Sequence, residues 1–65
     1  MSLIKLDSGD FVDPKIITAI RCEKVDSSPR VIIDTTIMIG HFVIYKDSLT
    51  DCFEYAGKIA FETLS

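Results

Sequence analysis

The spacing of hydrophobic positions changes near residue 48, and this change separates predicted strands from a predicted helix. Before that point, short runs rich in β-branched residues lie between clusters of Asp, Ser, Gly and Pro, which is typical of strands joined by turns. After it, apolar residues recur every three or four positions, as they do along one side of a helix. The order of elements predicts an α+β fold: a small antiparallel meander sheet of three to five strands with one C-terminal amphipathic helix packed on one face.

The first two turns follow directly from residue types. Residues 7–10, Asp-Ser-Gly-Asp, close a short N-terminal hairpin, because Asp and Ser side chains bond to nearby backbone and glycine accepts a positive φ. Residues 16–25 then form a strand, and Val25-Asp26-Ser27-Ser28-Pro29 forms the next turn.

The segment from residue 30 to residue 39 gives the clearest strand prediction, since five of its last nine residues are Ile or Val. Gly40 and His41 separate it from another apolar run at residues 42–45. Two interpretations remain open. Residues 37–40 form a hairpin loop, or one long strand bends at a bulge centred on Gly40. The hairpin is favoured.

The predicted helix begins after Ser48, an N-cap candidate followed three residues later by Asp51. At 100° per residue, its charged positions cluster on one side. Tyr55 and Phe61 lie at the two margins of the apolar side. The apolar side itself comprises Leu49, Cys52, Phe53, Ala56, Ile59, Ala60 and Leu64.

The apolar residues exceed what one helix can cover. A helix about 10 Å wide shelters about two strands, and the predicted strands do not alternate cleanly between apolar and polar residues. The uncovered sheet face predicts a homodimer or higher homo-oligomer, with a chain curled into a small barrel as the alternative. The predicted interface residues are Ile32, Ile37, Met38, Ile39 and Phe61.

Length and charge limit the remaining possibilities. The 65 residues predict a single domain over 1–65 that buries only about 60% of its unfolded surface, which again favours a partner subunit. The net charge of −3 and the interleaved basic residues argue against nucleic acid, and the apolar runs are too short to span a membrane. Lys5 and Asp7 interrupt the first apolar run, so we expect no export signal, a cytoplasmic location and free thiols at Cys22 and Cys52.

Candidate chemistry is sparse. Asp7, Asp10 and Asp13 are better explained as turn formers than as a cation site. A Cys52–His41–Asp34 triad is disfavoured, because a thiol on the apolar side of a helix is inert. The sequence therefore predicts no catalytic residue, no metal site and no cofactor.

These observations favour a non-enzymatic protein–protein interaction module, a self-associating adaptor or inhibitor that binds a partner protein. The alternative is a nucleotide- or metabolite-binding protein with its site at the subunit interface. In that case Arg21, Arg30 or Lys46 would hold an anion.

The segment from Leu6 to Phe11, followed by Pro14, Ile17 and a Ser-started C-terminal helix, resembles the small flagellar proteins of the FlbD/SwrD type. The resemblance is a pattern of turns and hydrophobic residues. The middle hairpin lacks the Asn-Gly turn common in that family, and we carry over no function from it.

Overall fold

The computed structural model describes residues 3–36 and 41–64, and in them it confirms the predicted α+β fold. Two antiparallel sheets, one of two strands and one of three in the order β3-β4-β5, pack against a C-terminal helix. Within these residues, no helix has the length and apolar content that crossing a bilayer requires. The elements are β1 (Ile4–Lys5), β2 (Phe11–Val12), a 3-10 turn (Pro14–Ile16), β3 (Ile17–Val25), β4 (Ser28–Thr35), β5 (His41–Tyr45) and α1 (Leu49–Leu64).

The N-terminal hairpin forms at the predicted turn. Gly9 has a φ of +95°, which glycine adopts without steric cost, and its N–H donates to the Leu6 carbonyl at 2.9 Å. The Leu6 N–H donates to the Asp10 carbonyl at 2.8 Å. The hairpin brings Ile4, Leu6 and Val12 into the core, each at most 5% exposed.

The turn between β3 and β4 is tighter than the sequence predicts. The strands extend to Val25 and from Ser28, so Asp26 and Ser27 alone form the loop. Both have positive φ, 50° and 65°, the conformation of a type I′ hairpin turn, whose twist matches that of the flanking strands.

Antiparallel pairing of β4 with β5 resolves the choice between a hairpin and a bent strand. Asp34 lies opposite His41 and Arg30 opposite Tyr45, so the chain reverses between the two strands as the hairpin interpretation requires. Residues 37–40, the predicted loop, lie outside the described residues.

The core lies between the three-stranded sheet, the helix and the N-terminal hairpin. Val31 and Ile33 on the central strand and Ile59 on α1 are each 0% exposed. Partly buried neighbours such as Ile20 and Phe42 pack around them from the two outer strands. Cys22 and Cys52 are free thiols in this cluster, as expected.

The second face of the sheet differs from the surplus of apolar surface that the sequence predicts. Its apolar residue on the central strand, Ile32, is 6% exposed and lies between Arg21 and Val43 in the strand register. An Arg21–Asp34 ion pair, with Nε donating to Oδ2 at 2.9 Å, lies on one side of it. Arg30 lies on the other side, 3.5 Å from the Glu23 carboxylate and 5.8 Å from the ring centre of Tyr45. Ile32 is therefore buried within the single chain, with these charged residues on either side of it.

The helix is rotated from its predicted orientation. Its buried residues are Cys52, Tyr55 and Ile59, and Phe53 and Leu64 are exposed. Tyr55 contributes to this orientation, because its hydroxyl accepts a hydrogen bond from the Asp7 backbone N–H at 2.9 Å. The Lys46 ammonium sits 4.1 Å from the centre of the same ring, a cation–π contact that the sequence pattern does not reveal.

Candidate functional site

The exposed large apolar residues concentrate on one side of α1. Eight such residues occur among residues 3–36 and 41–64, and four of them lie on the helix. The other four, Leu3, Phe11, Val25 and Tyr45, are distributed over the hairpin and the outer strands. Scattered exposed hydrophobic residues are normal in proteins, whereas several on one surface indicate a contact site.

We call this side of the helix the helix stripe. At 100° per residue its members span an arc of about 120°. The exposed fractions are 64% for Phe53, 74% for Phe61 and 88% for Leu64, with Leu49 at 36%. The helix stripe comprises Leu49, Phe53, Gly57, Ala60, Phe61 and Leu64, and the exposed Thr50 lies within the same arc.

Gly57 lies at the middle of the helix stripe, one turn from both phenylalanines. A Cβ atom added at this glycine would meet no heavy atom within 4 Å, so the packing of the monomer does not require its lack of a side chain. A glycine in mid-helix costs about 1 kcal/mol relative to alanine. The space above it is open to solvent and leaves a gap between two aromatic rings.

Charged residues border the helix stripe unevenly. At 100° per residue Glu54 lies about 20° beyond Phe61 at one edge of the helix stripe and Lys58 about 60° beyond it, and Asp51 and Glu62 lie further round the helix. The first turn is well formed, since the Ser48 hydroxyl accepts the Asp51 N–H at 3.1 Å as predicted for the N-cap. The helix stripe is therefore presented by a capped, regular helix.

The predicted interface residues have different locations in the structure. Phe61 belongs to the helix stripe, whereas Ile32 is buried between charged residues on the second sheet face. Ile37, Met38 and Ile39 lie outside the described residues. An apolar arc running from Tyr55 to Phe61 is too wide for one sheet to bury, and Phe53, Phe61 and Leu64 on the predicted apolar side and its margin remain exposed.

Each of the basic residues proposed to hold an anion lies beside an acid, but the buried Arg30 Nε has no hydrogen-bond partner among the described residues. Arg21 binds Asp34, and Arg30 lies 3.5 Å from Glu23. The Lys46 ammonium bonds to the Asp7 carboxylate. This bond lowers the pKa of Asp7 and raises the pKa of Lys46, in each case as the largest cause.

An open groove between the N-terminal hairpin and the C-terminal half of the helix is balanced in charge in the same way. Lys5 and Lys58 line it together with Asp7 and Glu62. Neither this groove nor the three basic residues provides a concentrated positive surface.

The residues considered for catalysis are separated by the sheet. Cys52 is fully buried beneath the helix, and burial raises the pKa of its thiol, which keeps it protonated. His41 and Asp34 share a register position on the opposite face, on β5 and β4. The Cys52–His41–Asp34 triad is therefore not assembled.

The three N-terminal aspartates have local structural roles. Asp10 accepts the Ser8 hydroxyl at 2.8 Å, and Asp13 accepts the Lys15 N–H at 2.9 Å, where it caps the 3-10 turn. Asp7 bonds to Lys46. Within the described part of the chain, no cluster of three His, Cys, Asp or Glu residues is arranged to hold a metal ion.

Comparison with known proteins gives no relative from which a role could be transferred: no family model, curated protein or solved structure matches the chain.

Proposed function

We propose that the chain is a non-enzymatic protein–protein interaction module that works as a homo-oligomer, with the helix stripe as its contact surface. The observation that carries this proposal is the concentration of exposed apolar side chains on one side of α1, including two phenylalanines more than 60% exposed. Water contact with these rings is unfavourable, and a second apolar surface removes it.

The size of the fold supports the same conclusion. A chain of 65 residues has little core with which to offset the entropy of folding. Burial of the helix stripe adds apolar burial that the monomer lacks, and association then stabilises the folded chain by mass action.

Sedimentation equilibrium from 1 μM to 1 mM tests the proposal. We expect the wild-type mass to rise from monomer to oligomer over this range, and the Phe53→Gln variant to stay near the monomer mass. Phe11→Gln is the matched control, because Phe11 is 59% exposed but lies on β2, away from the helix stripe. Wild-type protein that stays monomeric at 1 mM contradicts the proposal.

The ligand-binding alternative has less support, because Arg21 and Lys46 bond to carboxylates and Arg30 lies 3.5 Å from the Glu23 carboxylate, although the buried Arg30 Nε has no hydrogen-bond partner in the described part of the chain. A thermal-shift series with inorganic phosphate and ATP separates the two functions. Self-association predicts a melting temperature that rises with protein concentration and does not change with either anion.

A further inference from the structure

We propose that two copies pair helix to helix in antiparallel orientation, with the two-fold axis passing beside Gly57. This inference rests on the proposed self-association and specifies its geometry. The occupant of the helix stripe is thus the helix stripe of a second copy.

The order of residues along the helix is the first argument. A two-fold axis beside Gly57 places residue 57+n of one helix opposite residue 57−n of the other. Phe53 then meets the partner's Phe61, since each lies four residues from the glycine. Leu49 lies opposite position 65 of the partner, one residue along the helix from the partner's Leu64. The apolar residues are therefore nearly symmetric about this point, as an isologous interface requires.

The gap at Gly57 is the second argument. Leu49, Phe53, Gly57 and Phe61 form one ridge of residues spaced by four, and the open space at the glycine interrupts it. Two such gaps facing each other bring the helix backbones close enough for the flanking rings to interdigitate.

Charge on the outer edge is the third argument. In this arrangement Glu54 of each helix lies within one turn of Lys58 on the other along the helix axis, and the long Lys58 side chain, which starts about 60° beyond the edge of the helix stripe, reaches back to form two opposite-charge pairs at one edge of the interface. Asp51 and Glu62, which are like-charged, lie on the far sides of both helices. A parallel pair places like residues side by side and gives no such matching.

The area is sufficient for a weak dimer. The exposed fractions of the two phenylalanines and two leucines correspond to about 450 Å² per copy, on the scale of about 200 Å² for a full aromatic side chain. The pair then buries about 900 Å², near the lower limit of specific interfaces. We therefore expect association in the micromolar range or weaker.

Disulfide trapping tests the axis. In Gly57→Cys, the two introduced thiols face each other across the axis, whereas in the control Thr50→Cys they are about 21 Å apart at 1.5 Å per residue. The new Cβ at position 57 has open space, so the fold tolerates it. Under oxidised glutathione, with wild-type protein as the background for Cys22 and Cys52, we expect G57C to cross-link at least tenfold faster than T50C.

A charge exchange gives an independent measurement. Glu54→Lys and Lys58→Glu each convert both edge pairs to like charges, and we expect each variant alone to bind itself roughly tenfold more weakly. An equimolar mixture restores both pairs in the heterodimer, so the mixture regains wild-type association. Sedimentation equilibrium of the two variants alone and mixed measures this.

The outcomes separate the two proposals. Wild-type protein that stays monomeric at 1 mM overturns both self-association and its geometry. A wild-type dimer in which G57C cross-links no faster than T50C, or in which the mixed charge variants associate no better than either alone, overturns the axis at Gly57 and leaves self-association intact.

Discussion

The two sides of α1 both carry large apolar residues, but one side is buried and the other is exposed. On one side, Tyr55 and Ile59 are at most 7% exposed, because the sheet and the N-terminal hairpin close over them. On the other, Phe53 and Phe61 are more than 60% exposed. Hydrophobicity alone therefore does not decide which side of a helix is buried. On the buried side, the Asp7 N–H and the Lys46 ammonium also contact Tyr55, so polar contacts add to the apolar burial there.

The largest expected effect on the free energy of unfolding comes from comparing two single truncations, one on the buried side of the helix and one on the exposed side. Ile59→Ala removes a 0% exposed side chain and leaves a cavity, so we expect a loss of about 2–5 kcal/mol in the free energy of unfolding. Leu64→Ala, at 88% exposed, should change it by less than about 0.5 kcal/mol. Urea titrations at 1 μM, below the expected dimer range, measure both.

A domain this small has about 3–5 kcal/mol of stability to lose, so Ile59→Ala is expected to be largely unfolded. Ile59→Val is the milder form, with an expected cost of about 0.5–1.5 kcal/mol. Equal losses for Ile59→Val and Leu64→Ala would show that the two sides of the helix are not different in the monomer.

The next largest effect tests the anchor that orients the helix. Tyr55→Phe keeps the ring but removes the hydroxyl that accepts the Asp7 N–H, so a partly buried donor loses its partner. We expect a loss of about 1–1.5 kcal/mol in the free energy of unfolding. Tyr45→Phe is the matched control, because Tyr45 is 66% exposed and its contact with Arg30 involves the ring. A control loss as large as that of Tyr55→Phe would remove the anchor argument.

Local signals predicted the element types and most of their positions. The Asp-Ser-Gly-Asp turn, the β-branched runs and the Ser48 cap each depend on neighbouring residues, and all three are present in the structure. The rotation of the helix and the burial of Ile32 depend on residues far apart in sequence. Tyr55 and Asp7 are 48 positions apart, and Arg21 and Asp34 are 13 apart.

The apolar excess in the sequence led to an interface prediction that stays a prediction, with three of its residues outside the described part of the chain. Of its two described residues, Phe61 is exposed and Ile32 is buried between neighbours that include cross-strand ion pairs. Periodicity identified an apolar arc on the helix. It could not show which part of that arc the hairpin would cover, because the hairpin packs through tertiary contacts.

The smallest expected effect is a dependence of the free energy of unfolding on pH. It arises from the contact between Asp7 and Lys46, near the buried side of the helix. The Lys46 bond lowers the pKa of Asp7 below its ordinary 3.8, so folding favours the ionised carboxylate. That contribution is present above pH 3.8 and is lost as pH falls through the lower folded value. The pKa of Lys46 is raised above its ordinary 10.5, so its contribution is present below pH 10.5 and is lost as pH rises through the folded value.

Asp7→Asn should remove the contribution of this pair at both ends of the pH range. Because Asp7 is exposed, we expect a loss of about 0.2–1 kcal/mol at pH 7 and convergence with wild type as pH falls through the lowered folded pKa of Asp7. Asp47→Asn is the control, since it removes the same charge from an exposed position next to Lys46 in sequence. Urea midpoints at pH 2.5, 5 and 7 make the comparison. If Asp7→Asn and Asp47→Asn lose equal stability at pH 7, the loss reflects the change in net charge. The bond between Asp7 and Lys46 then does not stabilise the packing of the hairpin on the buried side of the helix.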